Sequence, residues 1–246
     1  MYYFIVTIFV WLVFLVTSVI FFPIACLIWL TTQLFDRRLT FLHYVSCFWA
    51  SIYTWANPLW KVKIEGREKI DPDQTYVMVC NHQSMADILV LYRLFIHYKW
   101  VSKAEMFKIP IVGWNMWLNR YVALDRGSRS SHMKMIKECA KNLSMGNSLM
   151  IFPEGTRSED GKIHKFKEGA FAVAKIGKSD ILPIVLNGSS DALPKKGFIL
   201  KKKQTIHVKI LDPVSYESFA KNSVHELSEK IYKLMNEEFK QIKHKK

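Results

Sequence analysis

The first residues of this chain, from Met1 to Phe35, include no charged side chain, and this apolar run constrains the fold more than any other feature. At ~1.5 Å per residue, a helix of that length would outreach the roughly 30 Å hydrocarbon core of a bilayer. The run shows neither the basic start nor the small-residue cleavage site of a secretory signal peptide. We therefore expect it to anchor the protein in a membrane.

Charge is concentrated in the rest of the chain. Residues 1–60 contain only Asp36, Arg37 and Arg38 as charged side chains, so nearly all of the formal net charge of +14 falls on residues 61–246. A strongly basic surface attracts phosphate, either in nucleic acid or in anionic lipid headgroups. Because the apolar start favours lipid and no recognised nucleic-acid-binding module is visible, we expect membrane phospholipids as partners and no nucleic acid.

The cysteines indicate a reducing environment. The four cysteines follow no paired spacing, and two of them lie in the apolar segments, which suggests neither a disulfide framework nor a zinc site. No metal is therefore expected. We expect a membrane-bound protein whose basic domain faces the cytoplasm.

Residues 42–60 form a second apolar segment directly after the charged turn. Its apolar side chains recur at helical spacing, which predicts an amphipathic helix at a membrane interface. Most of the other side is polar, with His43, Ser46, Ser51, Thr54 and Asn57.

Together, residues 1–60 are predicted to be membrane-anchoring helices, the first of them kinked at Pro23. Two complete crossings would place Arg37 and Arg38 on the opposite side of the membrane from the basic domain, against the positive-inside tendency. We expect either one tilted crossing or a hairpin within one leaflet, followed by an interfacial helix. The sequence does not separate these two arrangements.

Beyond residue 60, short β-rich runs alternate with helical stretches. This pattern predicts an α/β domain over residues 61–246, a mixed sheet flanked by helices and preceded by the membrane-associated two-helix motif. The predicted strands are residues 61–65, 75–80, 99–102, 121–124, 148–152, 181–186 and 204–211. The predicted helices are residues 84–97, 129–145, 167–177 and 223–243.

The first chemical motif runs from Asn81 to Asp87 and follows a strand of buried type. A histidine at a strand end can act as general base on a hydroxyl when a carboxylate fixes its tautomer, and Asp87 lies within reach of His82. The same spacing fits an ordinary helix start, in which Ser84 is the N-cap, Asp87 its capping-box partner and His82 an incidental loop residue. Both interpretations remain open on the spacing alone.

The second motif, Phe152 to Ser158, also follows an apolar strand directly. Its glycine-containing turn would allow backbone N–H groups to converge on an anion, and Arg157 offers a forked donor that matches phosphate oxygens. The alternative is an ordinary polar turn. Further positive charge nearby in the sequence comes from Arg126, Lys165 and Lys167.

Four blocks of sequence together resemble the glycerolipid acyltransferase family and, within it, the 1-acylglycerol-3-phosphate acyltransferases. The resemblance covers residues 61 to about 195. The blocks are, in chain order, Asn81–Asp87, Tyr121–Arg126, Phe152–Ser158 and Ile181–Val185.

The resemblance implies a role for each matching residue. His82 would be the general base and Asp87 its orienting partner. Lys103, in a Lys-Ala-Glu stretch, would add a phosphate contact, although a solvated surface lysine is the alternative. Pro183 would border the acyl-donor site. The glycerol phosphate would be bound by Arg126, Glu154, Gly155, Thr156 and Arg157.

The resemblance also implies a reaction. A fatty acyl chain would move from acyl-CoA or acyl carrier protein to the sn-2 hydroxyl of 1-acylglycerol 3-phosphate (lysophosphatidic acid), giving phosphatidic acid without a further cofactor. The two N-terminal helices would hold the enzyme on one leaflet. One departure from the family pattern is Arg120, which stands where many relatives have a glycine.

Three alternatives remain at this stage. The acceptor could be another lysophospholipid or glycerol 3-phosphate. A membrane-anchored lipid hydrolase could also use a histidine and an aspartate, but it would normally need a nucleophile elbow, and no Gly-x-Ser-x-Gly sequence occurs. A non-catalytic phospholipid-binding protein would have the phosphate site without turnover.

Overall fold

The computed structural model describes residues 1–125, 129–193, 200 and 202–244. The chain so described begins with two helices, α1 (Tyr2–Thr32) and α2 (Thr40–Trp55). Its strands are β1 (Trp60–Glu65), β2 (Tyr76–Cys80), β3 (Tyr98–Lys103), β4 (Val122–Leu124), β5 (Ser148–Ile151), β6 (Asp180–Asn187) and β7 (Gln204–Ile210). Its further helices are α3 (Ala86–Tyr92), α4 (Val112–Leu118), α5 (Arg129–Ser144), α6 (Gly169–Gly177), α7 (Ser189–Ala192), α8 (Tyr216–Phe219) and α9 (Val224–His244).

The strands of the described residues form one mixed sheet in the order β1-β7-β6-β2-β5-β3-β4. Strands β6, β2, β5, β3 and β4 run parallel to one another, whereas β7 is antiparallel to β6 and parallel to β1. Every residue of β2 and β5 is buried, as expected of parallel strands covered on both faces. The predicted mixed sheet flanked by helices is confirmed.

Helices cover both faces of this sheet. On one face, α5, α6 and α9 pack with strand residues such as Val77 and Leu149. On the other face, α2 and α3 pack with Met78 and Met150. Successive residues of one strand, such as Val77 and Met78, thus pack in the two different helix–sheet layers, because their side chains point to opposite faces of the sheet.

Helix α1 is continuous over 31 residues and passes through Pro23, the site of the predicted kink, without ending. Among the described residues it is the one helix long and apolar enough to cross a membrane, and 17% of its most apolar window is buried. Most of its surface is therefore apolar and uncovered by protein.

Both ends of α1 contact the rest of the protein. Near its start, Val6 packs in a cluster with Leu59 and Leu200. Near its end, Ala25 packs in a cluster with Leu42, on α2. These contacts are roughly 30 Å apart along the helix at ~1.5 Å per residue. Helix α1 therefore lies along the domain instead of projecting from it.

Helix α2 turns its polar side toward the domain. The ring nitrogen Nδ1 of His43 lies 2.9 Å from the Tyr121 hydroxyl, and the Asn119 amide donates to Ser46 Oγ at 3.1 Å. All the polar side chains predicted for this side are buried, namely His43, Ser46, Ser51, Thr54 and Asn57. The opposite, exposed side is aromatic, with Phe41, Tyr44, Phe48 and Trp55. The polar side therefore docks α2 on the sheet and does not face water.

The turn between α1 and α2 is fixed by a buried lysine. Lys99, which is 2% exposed, donates from Nζ to the carbonyl oxygens of Arg38 at 2.7 Å and Asn119 at 2.8 Å. The Arg38 side chain in turn donates from Nε to Asn147 Oδ1 at 3.3 Å. These bonds join the helical hairpin to the edge of the sheet opposite the carboxyl ends of β2 and β5.

The packing of α2 bears on where the α/β domain begins. Cys47 and Ala50 of α2 belong to the same buried cluster as Met78 and Trp100 of the sheet. The boundary at residue 60 stays a prediction, and this packing leads us to expect that α2 supports the core.

Four helices differ from the sequence prediction. Two of them, α7 and α8, have four residues each and are not among the predicted helices. Helix α3 ends at Tyr92 instead of residue 97. The next three N–H groups bond to carbonyls three residues back, and Phe95 then has a φ of +50°, outside the right-handed helical region. Helix α4 is not among the predicted helices. Gly113 and Asn115 interrupt its apolar period, so no helical pattern is visible in so short a segment.

Candidate active site

The two chemical motifs meet at one edge of the sheet. Strands β2 and β5 are parallel neighbours, so the segments Asn81–Asp87 and Phe152–Ser158 leave the sheet side by side. Helix α3, which follows β2, lies on one face, whereas α6, which follows β5, lies on the other. Ligands of open α/β sheets bind outside the carboxyl ends of strands where the connections diverge in this way.

His82 and Asp87 form a hydrogen-bonded pair at this edge. The distance from His82 Nδ1 to Asp87 Oδ2 is 2.8 Å, and the two side chains are 13% and 0% exposed. Since a carboxylate can only accept, Nδ1 carries a proton, and in the neutral imidazole the lone pair is then on Nε2. A general base needs this tautomer.

The carboxylate of Asp87 also organises the start of α3. Its Oδ2 accepts hydrogen bonds from the backbone N–H groups of Gln83 at 2.6 Å and Ser84 at 2.8 Å. Ser84 Oγ accepts one from the N–H of Ala86 at 3.2 Å. The capping interpretation and the catalytic interpretation are therefore compatible, because one buried oxygen contacts both His82 and the start of α3, and the catalytic role stays a prediction. The other oxygen, Oδ1, has no hydrogen-bond partner among the described residues.

Phe152 supports the imidazole from one side. Its ring is stacked on that of His82, with centroids 4.0 Å apart and an angle of 11° between the planes. The ring of Trp100 packs against that of Phe152 at a centroid distance of 5.5 Å. The stack fixes the plane of the His82 ring. The sequence indicated a role for Phe152 only through its position at the end of an apolar strand.

Glu154 ties the two segments together. Its Oε1 accepts a hydrogen bond from the backbone N–H of His82 at 2.7 Å, and its Oε2 accepts one from the N–H of His164 at 2.9 Å. The residue is buried, and this burial raises the pKa of Glu154 to about 7, against the two N–H donors, which lower it. Both carboxylate oxygens are engaged by backbone, so direct contact with a substrate stays a prediction.

The turn after Phe152 closes against the His82 loop. Gly155 adopts a φ of +73°, in the left-handed region that glycine occupies without strain. The backbone N–H of Ser158 donates to the carbonyl oxygen of His82 at 2.8 Å. Arg157, which is partly exposed, immediately precedes Ser158 in the chain. Its backbone is therefore next to the hydrogen bond that joins this turn to the His82 loop.

Further hydrogen bonds connect the site with Leu186 in β6 and with Leu193. The Asn81 amide donates to the carbonyl of Leu186 and accepts from the N–H of the same residue, each at 2.8 Å. Ser84 Oγ donates to the carbonyl of Leu193 at 2.5 Å, and Leu193 packs in the cluster that holds Val6 of α1. Leu193 thus links the loop after β2 to the cluster that contains Val6 of α1.

The other predicted site residues have different positions. Lys103 is exposed at the carboxyl end of β3, the neighbour of β5, and Thr156 is exposed in the turn. Pro183 is buried within β6 and paired with Val79, so a border with the acyl-donor site stays a prediction. Arg126 lies outside the described residues.

Arg120 has a backbone conformation that would suit the glycine of the family pattern. Its φ is +52°, in the left-handed region that is costly for side chains and free for glycine. Its side chain is exposed.

A cavity of about 200 Å³ lies elsewhere, beside β1, β7 and α9. It is at the far end of the sheet from β2 and β5, and neither catalytic motif contributes to its lining. We therefore locate the chemistry at the open edge, where the paired groups are, and not in this cavity.

The chain is similar to several named proteins. The 1-acyl-sn-glycerol-3-phosphate acyltransferase of Saccharomyces cerevisiae is 34% identical over 185 residues, covering 74% of this chain and 60% of the relative. A chloroplastic protein of the same name from Brassica napus is 37% identical over 205 residues, covering 82% and 59%. A Chlamydomonas reinhardtii protein of that name is 42% identical over 159 residues, covering 64% and 47%. The chain thus spans about half the length of these relatives or slightly more.

The fold has a close counterpart among solved structures. The crystal structure of the 1-acyl-sn-glycerophosphate acyltransferase PlsC from Thermotoga maritima superposes with a TM-score of 0.79 at 24% identity. The alignment covers 98% of this chain and 95% of that one. The acyltransferase family model matches residues 61–187, which contain both chemical motifs and make up slightly more than half of the chain. The chain belongs to the acyltransferase family.

Proposed function

We propose that this protein transfers an acyl chain from a thioester to the sn-2 hydroxyl of 1-acylglycerol 3-phosphate, giving phosphatidic acid for phospholipid biosynthesis. The observation that carries the proposal is the hydrogen-bonded pair of His82 and Asp87, tied by Glu154 to the turn that bears Arg157. A base for a hydroxyl and a donor for phosphate would thereby belong to one site. The names of the relatives supply the identity of the acceptor.

In the proposed reaction, Nε2 of His82 accepts the hydroxyl proton while the hydroxyl oxygen bonds to the thioester carbonyl carbon. The tetrahedral oxyanion then collapses, the carbon–sulfur bond breaks, and the leaving thiolate takes the proton from His82. Asp87 stabilises the imidazolium between these two proton transfers and keeps Nδ1–H oriented. His82 ends the cycle in its starting state.

The acceptor phosphate would lie against the turn after β5. Arg157 would bind two of its oxygens through the guanidinium fork. Gly155 and Thr156 form the turn, and Lys103 would add positive charge from the neighbouring strand end. Arg126 is proposed as a further phosphate ligand. The acyl donor would be acyl-CoA or acyl carrier protein, with Pro183 near its site.

We also propose that α1 and α2 attach the protein to one leaflet, with the catalytic domain on the cytoplasmic side. The contacts of Val6 and Ala25 at opposite ends of α1 support this arrangement, since a helix that crossed the bilayer would lose one of them. The basic charge of residues 61–246 favours the cytoplasmic side. The acceptor, which is itself a membrane lipid, would then enter the site from the leaflet.

A substrate screen with the purified protein tests the function. Acyl-CoA and acyl carrier protein thioesters would each be offered with lysophosphatidic acid, glycerol 3-phosphate or a lysophospholipid bearing a larger headgroup, and the products identified by mass spectrometry. We expect phosphatidic acid to form fastest. Turnover only with another acceptor would contradict the assignment, and fatty acid release in the absence of acceptor would indicate a hydrolase.

A further inference from the structure

We infer that helix α4 is a third membrane-contacting element, whose residues Trp114 and Trp117 insert into the headgroup region of the leaflet that holds α1 and α2. The inference rests on the membrane attachment in the proposed function and goes beyond it. It assigns a role to a helix that lies outside both catalytic motifs.

Helix α4 has two unlike sides. Gly113, Asn115 and Met116 are buried against the domain. Trp114 and Trp117, on the other side, are 49% and 73% exposed, and Trp117 is the most exposed tryptophan among the described residues. Tryptophan is enriched at membrane–water interfaces, because its large apolar ring and its N–H group suit the two sides of that boundary.

The exposed side of α4 continues the apolar surface of α1. The rings of Trp114 and Phe22 are in contact, with centroids 5.5 Å apart. Leu118, the last residue of α4, packs with the cluster of Ala25 on the same helix. A leaflet that covers α1 at Phe22 therefore reaches Trp114 without a gap.

Charges beside α4 suit an anionic headgroup layer. Lys108 precedes the helix and Arg120 follows it, and both side chains are exposed. Glu105, one turn before Lys108, is also exposed. It offsets one of the two cations, which leaves the segment with an excess of positive charge. Ile109, between Lys108 and the helix, is 41% exposed and adds apolar surface. Apolar side chains framed by cations are typical of a lipid-facing surface.

A fluorophore placed on α4 tests the inference. Trp117→Cys would be labelled with an environment-sensitive dye in the full-length protein reconstituted into vesicles of phosphatidylcholine and phosphatidylglycerol. Two matched positions serve as controls. Leu12→Cys, 54% exposed on α1, reports the membrane helix, and Ile176→Cys, 58% exposed on α6, reports the opposite face of the sheet. Quenching by lipids with a nitroxide near the headgroup is then measured at each position.

We expect severalfold stronger quenching at position 117 than at position 176, and a blue-shifted emission at position 117. Quenching at position 117 no stronger than at position 176, with strong quenching at position 12, would overturn the role of α4 and leave the membrane attachment intact. Weak quenching at all three positions would overturn the membrane attachment and, with it, this inference. Trp114→Cys repeats the test at the second position.

Discussion

At the scale of single residues, Arg157 distinguishes a phosphate-binding turn from an ordinary polar turn. Because the loss of its fork removes charge-assisted hydrogen bonds worth roughly 1.5 to 3 kcal/mol, we expect Arg157→Ala to lower kcat/KM for lysophosphatidic acid by about tenfold to more than a hundredfold. The KM for the thioester donor should change much less. Arg157→Lys should restore only part of the loss, since an ammonium keeps the charge without the planar fork.

Steady-state kinetics against both substrates measure this difference, with a melting curve for each variant. Arg67→Ala is a matched control, because that arginine donates to the carbonyl of Arg93 at a distance from the catalytic motifs. An equal loss of affinity for donor and acceptor would refute the phosphate contact. So would unchanged kinetics.

Arg120 offers a test of backbone strain. With φ at +52°, a side chain is costly by about 1 kcal/mol, so Arg120→Gly should raise the unfolding free energy by roughly 0.5 to 1 kcal/mol. For a chain of this size, the corresponding rise in Tm is about 2 °C. Arg120→Ala keeps the strain and removes the charge, so it should bring no such gain. If the alanine variant were stabilised as much as the glycine variant, charge and not strain would be responsible.

Residue roles that depend on short sequence distances could be predicted, whereas those that depend on distant contacts could not. Asp87 was predicted as the partner of His82 because only five positions separate them. Glu154 was predicted to bind substrate. Its two carboxylate oxygens accept from the N–H groups of His82 and His164, and only the folded sheet brings these groups together. The face-to-face stack of Phe152 on His82 depends in the same way on the pairing of β2 with β5.

At the scale of elements, Glu154 joins the loop after β2 to the loop after β5, and it should make stability depend on pH. Burial raises the pKa of Glu154 from its ordinary 4.5 to about 7. The folded state therefore keeps a proton that the unfolded state releases, and stability falls as pH rises between these values. At ~1.4 kcal/mol per pKa unit, the effect is at most about 3.5 kcal/mol.

Thermal melts of the wild type and Glu154→Gln, from about pH 5 to about pH 8, isolate this contribution. The stability advantage of the wild type over the variant should shrink as pH rises through this range. An advantage that grows with pH would show that the two N–H donors outweigh burial and that the pKa is not raised.

The strands were the most predictable elements, whereas the polar side of α2 and the short helix α4 were the least predictable. All seven predicted strands occur in the sheet. Central strands such as β2 and β5 are continuous apolar runs, whereas β1 and β7 alternate apolar and polar residues. The polar side of α2 gave no indication of its burial, since its partners Tyr121 and Asn119 lie far along the chain. Helix α4 escaped prediction because its seven residues are too few to show a period.

At the scale of the whole molecule, removal of α1 alone and removal of both N-terminal helices should have different effects on membrane binding and on folding. Deleting residues 1–32, which removes α1, uncovers two small apolar clusters and should mainly weaken the capture of membrane-borne acceptor. Deleting residues 1–60 also removes Cys47 and Ala50 from the main core and should prevent stable folding. Vesicle flotation and melting curves of both variants in detergent measure these effects. A cooperative melt of the shorter protein at the wild-type temperature would show that the core does not need α2.

The central claim, that His82 acts as the base of an acyl transfer and is held by Asp87, is tested most directly by the kinetics of His82→Ala. Purified wild type and variant would be assayed with an acyl thioester and lysophosphatidic acid, after melting curves show that both are folded. A general base contributes at least about 10²-fold, so we expect turnover to fall by that factor or more, and Asp87→Asn to lower it as well. If folded His82→Ala retained more than roughly a tenth of wild-type turnover, far above what loss of a general base allows, the account of this site would be wrong.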